Sequence, residues 1–210
     1  MKTKTLYGLL FFFACSGQAH GLIIDFRSTD FVDAFNAESF YNAPVTASVL
    51  PDGATLWWDS TDGLGVQGLS GSYERDEIEG TDLLNLHFDT VFLLSSVLLT
   101  DLFYEARSTT WYQETGYYSF DNDTWTPFVA STSQTPSTSN GELLLTFASV
   151  PMQDIWFKAP GLMSVDGVAQ DHEFSVAQVQ VNPVPEPASM LLVGTGLITL
   201  ARFGRRMRKH

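Results

Sequence analysis

Leu84-Asn85-Leu86-His87-Phe88 decides the fold, because apolar and polar side chains alternate there with the period of a strand that buries one face. Leu143, Leu145 and Phe147 repeat the pattern against Leu144 and Thr146. Working outward, Val45–Leu50, Ala54–Trp58, Val91–Thr100, Thr110–Phe120, Trp125–Ala130 and Asp154–Lys158 are further candidate strands. Gly, Pro, Asp and Asn clusters such as Pro51-Asp52-Gly53 and Asp121-Asn122-Asp123 separate them. No window between residues 20 and 181 sustains a helical stripe. The pattern predicts an all-β chain, an antiparallel β-sandwich of jelly-roll kind.

Two details sharpen that expectation. Phe174 and Val176 share one phase while Ala177, Val179 and Val181 share the other, so a bulge or a crossing between sheets is expected near Val176-Ala177. Val91–Leu99 is apolar apart from Ser95-Ser96 and too short to span a bilayer. It reads as a strand buried on both faces or passing between sheets. The polar stretch Ser131–Asn140 reads as a surface loop.

The ends of the chain are of a different kind. Lys2 and Lys4 precede an apolar run, Leu6–Ala14, and Gly17-Gln18-Ala19 offers small residues for signal peptidase, so residues 1–19 read as a signal peptide cleaved after Ala19. Cys15 in Phe12-Phe13-Ala14-Cys15 leaves a second processing route, lipidation, open. If Cys15 departs with the signal peptide, the exported chain has no cysteine, hence no disulfide and no thiolate chemistry. At the other end stand a Pro-rich stretch (182–187), an apolar stretch (188–203) and a basic tail (204–210). Ala188–Ala201 comprises 14 uncharged residues. As a helix they rise about 21 Å against a hydrocarbon core of about 30 Å, which makes a short, marginal transmembrane anchor. The arginines of the tail remain on the cytoplasmic side.

Charge narrows the partners. All 24 acidic residues lie between residue 20 and Pro187, against only Arg27, Arg75, Arg107 and Lys158, leaving that stretch near −20. Such a body has no electrostatic means of holding a phosphate backbone, which excludes nucleic acid. Hard oxygen ligands at this density suit calcium, and Asp76, Glu77 and Glu79 are the candidate ligands; a solvated acidic loop is the alternative.

Val184-Pro185-Glu186-Pro187, the short apolar segment and the Arg-rich end together resemble the PEP-CTERM sorting signal of Gram-negative bacteria. The resemblance implies an exosortase-type membrane peptidase as partner, besides signal peptidase. It also implies export through the inner membrane, transient anchoring, and a place at the cell surface or in the extracellular matrix of bacteria that make exopolysaccharide and biofilm. Asp62-Gly63-Leu64-Gly65-Val66, Asp76-Glu77-Ile78-Glu79, Leu84–Phe88 and Asp171–Ala177 are similar to a pattern in ectodomains that carry this signal.

Catalytic signals are sparse. His87 falls on the polar face of its strand and His172 at a strand start, and Gly68-Leu69-Ser70-Gly71 lacks the second spacer of a nucleophile elbow. Aromatic residues are dense, and strand alternation separates Trp111 and Tyr117 from Tyr112, Tyr118 and Phe120. One set fills the core, and the other, with Trp57, can form a platform for sugar rings. The expectation is a non-catalytic exported surface or matrix protein. A dedicated carbohydrate-binding module on Trp57, Trp111 and Tyr117 is the alternative. A polysaccharide-acting enzyme would need two facing carboxylates that no spacing provides.

Overall fold

The computed structural model describes residues 21–68, 77–107, 110–133, 135, 140–161, 163–165, 168–170, 172–184 and 194–196. The strands are β1 (Leu22–Asp25), β2 (Ser39–Asn42), β3 (Val45–Leu50), β4 (Thr55–Asp59), β5 (Gly63–Gln67), β6 (Leu83–Thr100), β7 (Tyr104–Arg107), β8 (Thr110–Gln113), β9 (Thr115–Ser119), β10 (Thr126–Val129), β11 (Leu143–Lys158), β12 (Met163–Val165), β13 (Val168–Gln170) and β14 (Ser175–Pro183). A 3₁₀ helix, Thr29–Ala34, capped by the Ser28 hydroxyl, sinks Phe31 and Ala34 into the interior. Every strand pairing is antiparallel.

Two long strands organise the sandwich. One edge of β6 pairs with β3 along Leu83–Phe88 and with β14 along Phe92–Thr100, while β11 runs along its other edge. The first half of β6 therefore sits in a sheet ordered β10-β9-β11-β6-β3-β2, and its second half in one ordered β11-β6-β14-β5-β4, with β1 also on β14. Strands that pass from one sheet to the other through bulges make the corners of such a sandwich. Register shifts fall where this requires them, between Thr146 and Val150 and between Met152 and Asp154 of β11. Leu84, Leu86 and Phe88 from one half and Leu94, Val97, Leu99, Val176 and Val179 from the other belong to one hydrophobic core cluster.

The expected irregularity in the last strand is present. Val176 pairs with Leu99 but Gln178 with Leu98, so Ala177 is the extra residue, and both Val176 and Ala177 are fully buried. The bulge carbonyl of Ala177 accepts the Phe26 amide at 2.9 Å. Gly63 of β5 lies against it with φ +104°, and a Cβ there would stand 2.5 Å from the Val176 carbonyl oxygen, so only glycine fits. A second shift, at Ser95, moves the buried phase of β6 from Leu94 to Val97 and Leu99, which carries this apolar strand across the corner.

Several expected boundaries change. Leu84–Phe88 and Val91–Thr100 are one strand, as are Leu143–Phe147 and Asp154–Lys158, because the chain bends through a register shift and resumes its pairing beyond it. Thr110–Phe120 instead divides at Glu114 into β8 and β9. The buried Glu114 carboxylate accepts the Phe103 amide at 2.6 Å, and its backbone exchanges hydrogen bonds with Phe103 and Ala130. A charged acceptor that caps backbone amides this way holds the β7–β8 ribbon to the sandwich. Of the Ser131–Asn140 loop, Thr132-Ser133 form a turn, and residues 134 and 136–139 lie outside the described residues.

Candidate functional site

Pairing of β9 with β11 and of β11 with β6 places Tyr117, Lys158 and Leu83 side by side across three strands. Above this row opens a cleft of about 370 Å³, lined by Gly80, Thr81, Asp82 and Leu83 on one side and by Asn122, Trp125, Lys158 and Ala159 on the other. The first wall is a turn in which the Asp82 amide donates to the Glu79 carbonyl at 2.9 Å. The second is set by the predicted Asp121-Asn122-Asp123 turn. Asp121 there accepts the amides of Thr124 (2.7 Å) and Asp123 (2.9 Å) and the Ser119 hydroxyl (2.8 Å), which hold its carboxyl well below the ordinary carboxylate range.

Asp82 is the unusual member. It is 5% exposed, and its carboxylate has no hydrogen-bond or ion-pair partner among the described residues. Loss of water on burial pushes its pKa from 3.8 up to about 6. Gly68 makes room for it, since a Cβ at that position would lie 2.8 Å from Oδ2. Across the cleft the Lys158 ammonium rests 3.9 Å from the centroid of the Trp125 ring and 5.9 Å from that of Tyr117. Cation–π attraction thus parks it on aromatic faces instead of on Asp82.

The predicted platform residues are not brought together. Tyr117 stands beside Lys158 on β9. Trp57 is on β4, at the far end of the strand order, packed edge-on against Phe35 at 4.8 Å, and Trp111 belongs to the separate β7–β8 ribbon. Trp111 is 58% exposed and stacks on Tyr104 at 4.9 Å with 13° between the rings. The opposite set behaves as expected: Tyr112 is buried, and Tyr118 and Phe120 pack on Phe147 at the core.

Of the candidate calcium ligands, Asp76 lies outside the described residues. Glu77 and Glu79 flank Ile78, which is fully buried and donates its amide to the Phe174 carbonyl at 2.8 Å, and Glu79 is itself buried. The segment is stitched into the interior, and no group of three or more metal-type side chains forms among the described residues. His172 is buried and accepts the Thr115 amide at Nδ1 (3.0 Å), which ties the start of β9 to the segment that leads into β14. His87 Nδ1 lies 2.9 Å from Asp154 Oδ1 on the half-exposed face, and its other ring nitrogen has no partner among the described residues. Ala19, with residues 1–20, and Leu69-Ser70-Gly71 lie outside the described residues.

Sequence reasoning missed Asp82, Trp125 and Lys158 as a group. One signal was available: Lys158 is the only lysine between Lys4 and Lys209.

At the C-terminus β14 ends at Pro183, and Val184 is exposed where the chain leaves the sandwich. Pro185, Glu186 and Pro187 lie outside the described residues, and of the apolar stretch only 194–196, which are helical, are described. Among the described residues no helix is long and apolar enough to cross a membrane. The chain is thus an all-β body followed by an exposed exit into a Pro-rich, apolar and basic tail. Residues 183–209 match the PEP-CTERM protein-sorting motif, which entails export, anchoring at the membrane and processing by an exosortase, a membrane protein. No curated protein matches the chain. Among solved structures, CBM32-3 from a family 31 glycoside hydrolase of Clostridium perfringens aligns at 14% identity over 69% of this chain and 95% of that one, with a TM-score of 0.31. CBM32-1 from a family 31 glycoside hydrolase of the same organism aligns at 13% identity over 61% and 96%, with a TM-score of 0.28. The assignment of an antiparallel β-sandwich rests on the strand pairing itself.

Proposed function

We propose that this is a non-catalytic protein of the cell surface or extracellular matrix, delivered through its PEP-CTERM tail and associated with exopolysaccharide and biofilm. The match at residues 183–209 carries the reading. The strongly acidic body agrees with a life outside the cytoplasm among hydrated polymers and divalent ions. In favour of a non-catalytic role, Asp82 is the one carboxylate among the described residues that line the cleft, whereas glycoside hydrolysis ordinarily employs two. Mass spectrometry of the mature protein from its host tests the delivery. The expected product lacks the tail through His210, and deleting the exosortase restores it. Recovery of intact His210 whether or not the exosortase is present would falsify the reading.

A further inference from the structure

Charge is distributed unevenly along the length of β14. Thr90–Thr100 of β6, Leu143–Gln153 of β11, Ser175–Val184 of β14 and its exit, and Gly21–Ile24 of β1 and its approach carry no charged residue, although the body holds 24 acidic side chains. Strand pairing lays these four stretches side by side. Towards the Ser175 end charge returns: Asp25, level with Gln178, and Glu142 both pair with Arg27. At the other end, where the chain leaves for its tail, Pro183 pairs with Phe92, and Val91, Pro183 and Val184 are exposed. Leu22, level with Val181, is exposed just behind them. The nearest charge on β6 is Asp89, which accepts the Tyr41 hydroxyl at 2.9 Å.

The tail fixes what this end must meet. Taken as a helix pinned by the arginines on the cytoplasmic side, the 14 uncharged residues from Ala188 to Ala201 rise about 21 Å. The steps from Val184 to Ala188 add at most about 14 Å even when fully stretched. The hydrocarbon core and one headgroup layer together measure roughly 36 Å, so Val184 does not stand clear of the headgroups.

We propose that, while the tail is anchored, the exit end of the sandwich docks on the lipid surface, with Val91, Pro183 and Val184 in the headgroup layer and Leu22 at its margin. The inference rests on the membrane anchoring that the sorting motif entails. An uncharged, partly apolar surface enters that layer without stranding an ion, and exposed valine side chains gain by leaving water. With this end leading, Asp25 and Glu142 are held away from anionic headgroups. β14 then stands upright on the bilayer, its Ser175 end about 26 Å above Pro183.

The test uses the full chain in a Cys15→Ser background, with bimane on Thr90→Cys beside Val91 or on Asn140→Cys, whose backbone carbonyl accepts the Asp101 amide at the far end. The protein is reconstituted in vesicles of phosphatidylcholine and phosphatidylglycerol that carry a nitroxide on the upper acyl chain. Quenching at Thr90→Cys should exceed that at Asn140→Cys roughly threefold or more. A flexible Gly-Ser linker of about 20 residues, inserted after Val184, frees the body to move about 25 Å from the tail. Quenching at Thr90→Cys is expected to survive the linker and to be lost when Val91→Glu and Val184→Glu are added to it. Both sites are exposed, so thermal melting should not change. Loss of quenching on adding the linker alone, or equal quenching at the two labels, overturns the proposal. So does excimer emission from pyrene on Thr90→Cys without lipid quenching, which marks a second copy of the chain as the occupant. Flotation with the vesicles reads the anchoring separately. A chain that fails to float overturns the anchoring and the docking together, and a floating chain without quenching overturns the docking alone.

Discussion

Asp82→Asn should make this protein more stable, and only over part of the pH range. Burial lifts the Asp82 pKa from 3.8 to about 6, so between those values the folded chain holds a proton that the unfolded chain has released. Stability therefore falls as pH rises through that window, is fully reduced above about pH 6, and is unaffected below about pH 3.8. The shift of roughly two units corresponds to about 3 kcal/mol. Asparagine has the shape of the protonated acid and cannot ionise, so it removes that loss. For a domain of this size each kcal/mol moves the melting temperature by roughly 2–4 °C, which sets the expected gain at about 8 °C at pH 8. Scanning calorimetry of both proteins from pH 3.5 to 8 provides the difference curve, in which carboxylates common to both cancel. A gap that does not change with pH, or a variant that melts below the parent at pH 8, refutes the reasoning.

Gly63→Ala places a side chain where φ is +104° and the Val176 carbonyl oxygen is 2.5 Å away. Strain combined with a backbone clash should remove about 3 kcal/mol or more in urea unfolding, and a loss below about 1 kcal/mol would show that the Ala177 bulge yields easily. Calcium should leave the melting temperature unchanged, since Ile78 draws Glu77 and Glu79 inward and no three-ligand group forms among the described residues. A saturable rise, about 2.7 kcal/mol at a hundredfold excess over Kd, would establish the acidic segment as a metal site.

Strand identity was legible wherever alternation and turn chemistry agreed. Val45–Leu50 has the bounds expected of it, and the phase break at Val176-Ala177 announced its bulge because a smooth strand cannot bury both Val176 and Ala177 on one face. The two long strands were not legible as wholes. Asp89 and Pro151 carry the marks of chain reversal, yet they occupy stretches where β6 and β11 slip register while turning the corner, and sequence does not distinguish a bend from a stop. The break at Glu114 was hidden for another reason: the residue looks like an exposed strand carboxylate until Phe103, 11 positions away, is seen to need its oxygen. The cleft was the least readable feature. Trp125 and Lys158 meet only because β9 pairs with β11, and nothing local marks Asp82 as one of the few buried carboxylates among 24 acidic residues.

Leu22 faces Val181 across the β1–β14 pair, so the polypeptide enters and departs at one pole of the sandwich, two neighbouring strands about 5 Å apart. β14 is clasped on both edges, by β6 on one side and by β1 and β5 on the other. Severing the chain beyond Val184 thus leaves every described strand pairing of the sandwich in place: each edge of β14 keeps its clasp whether or not the tail is still attached.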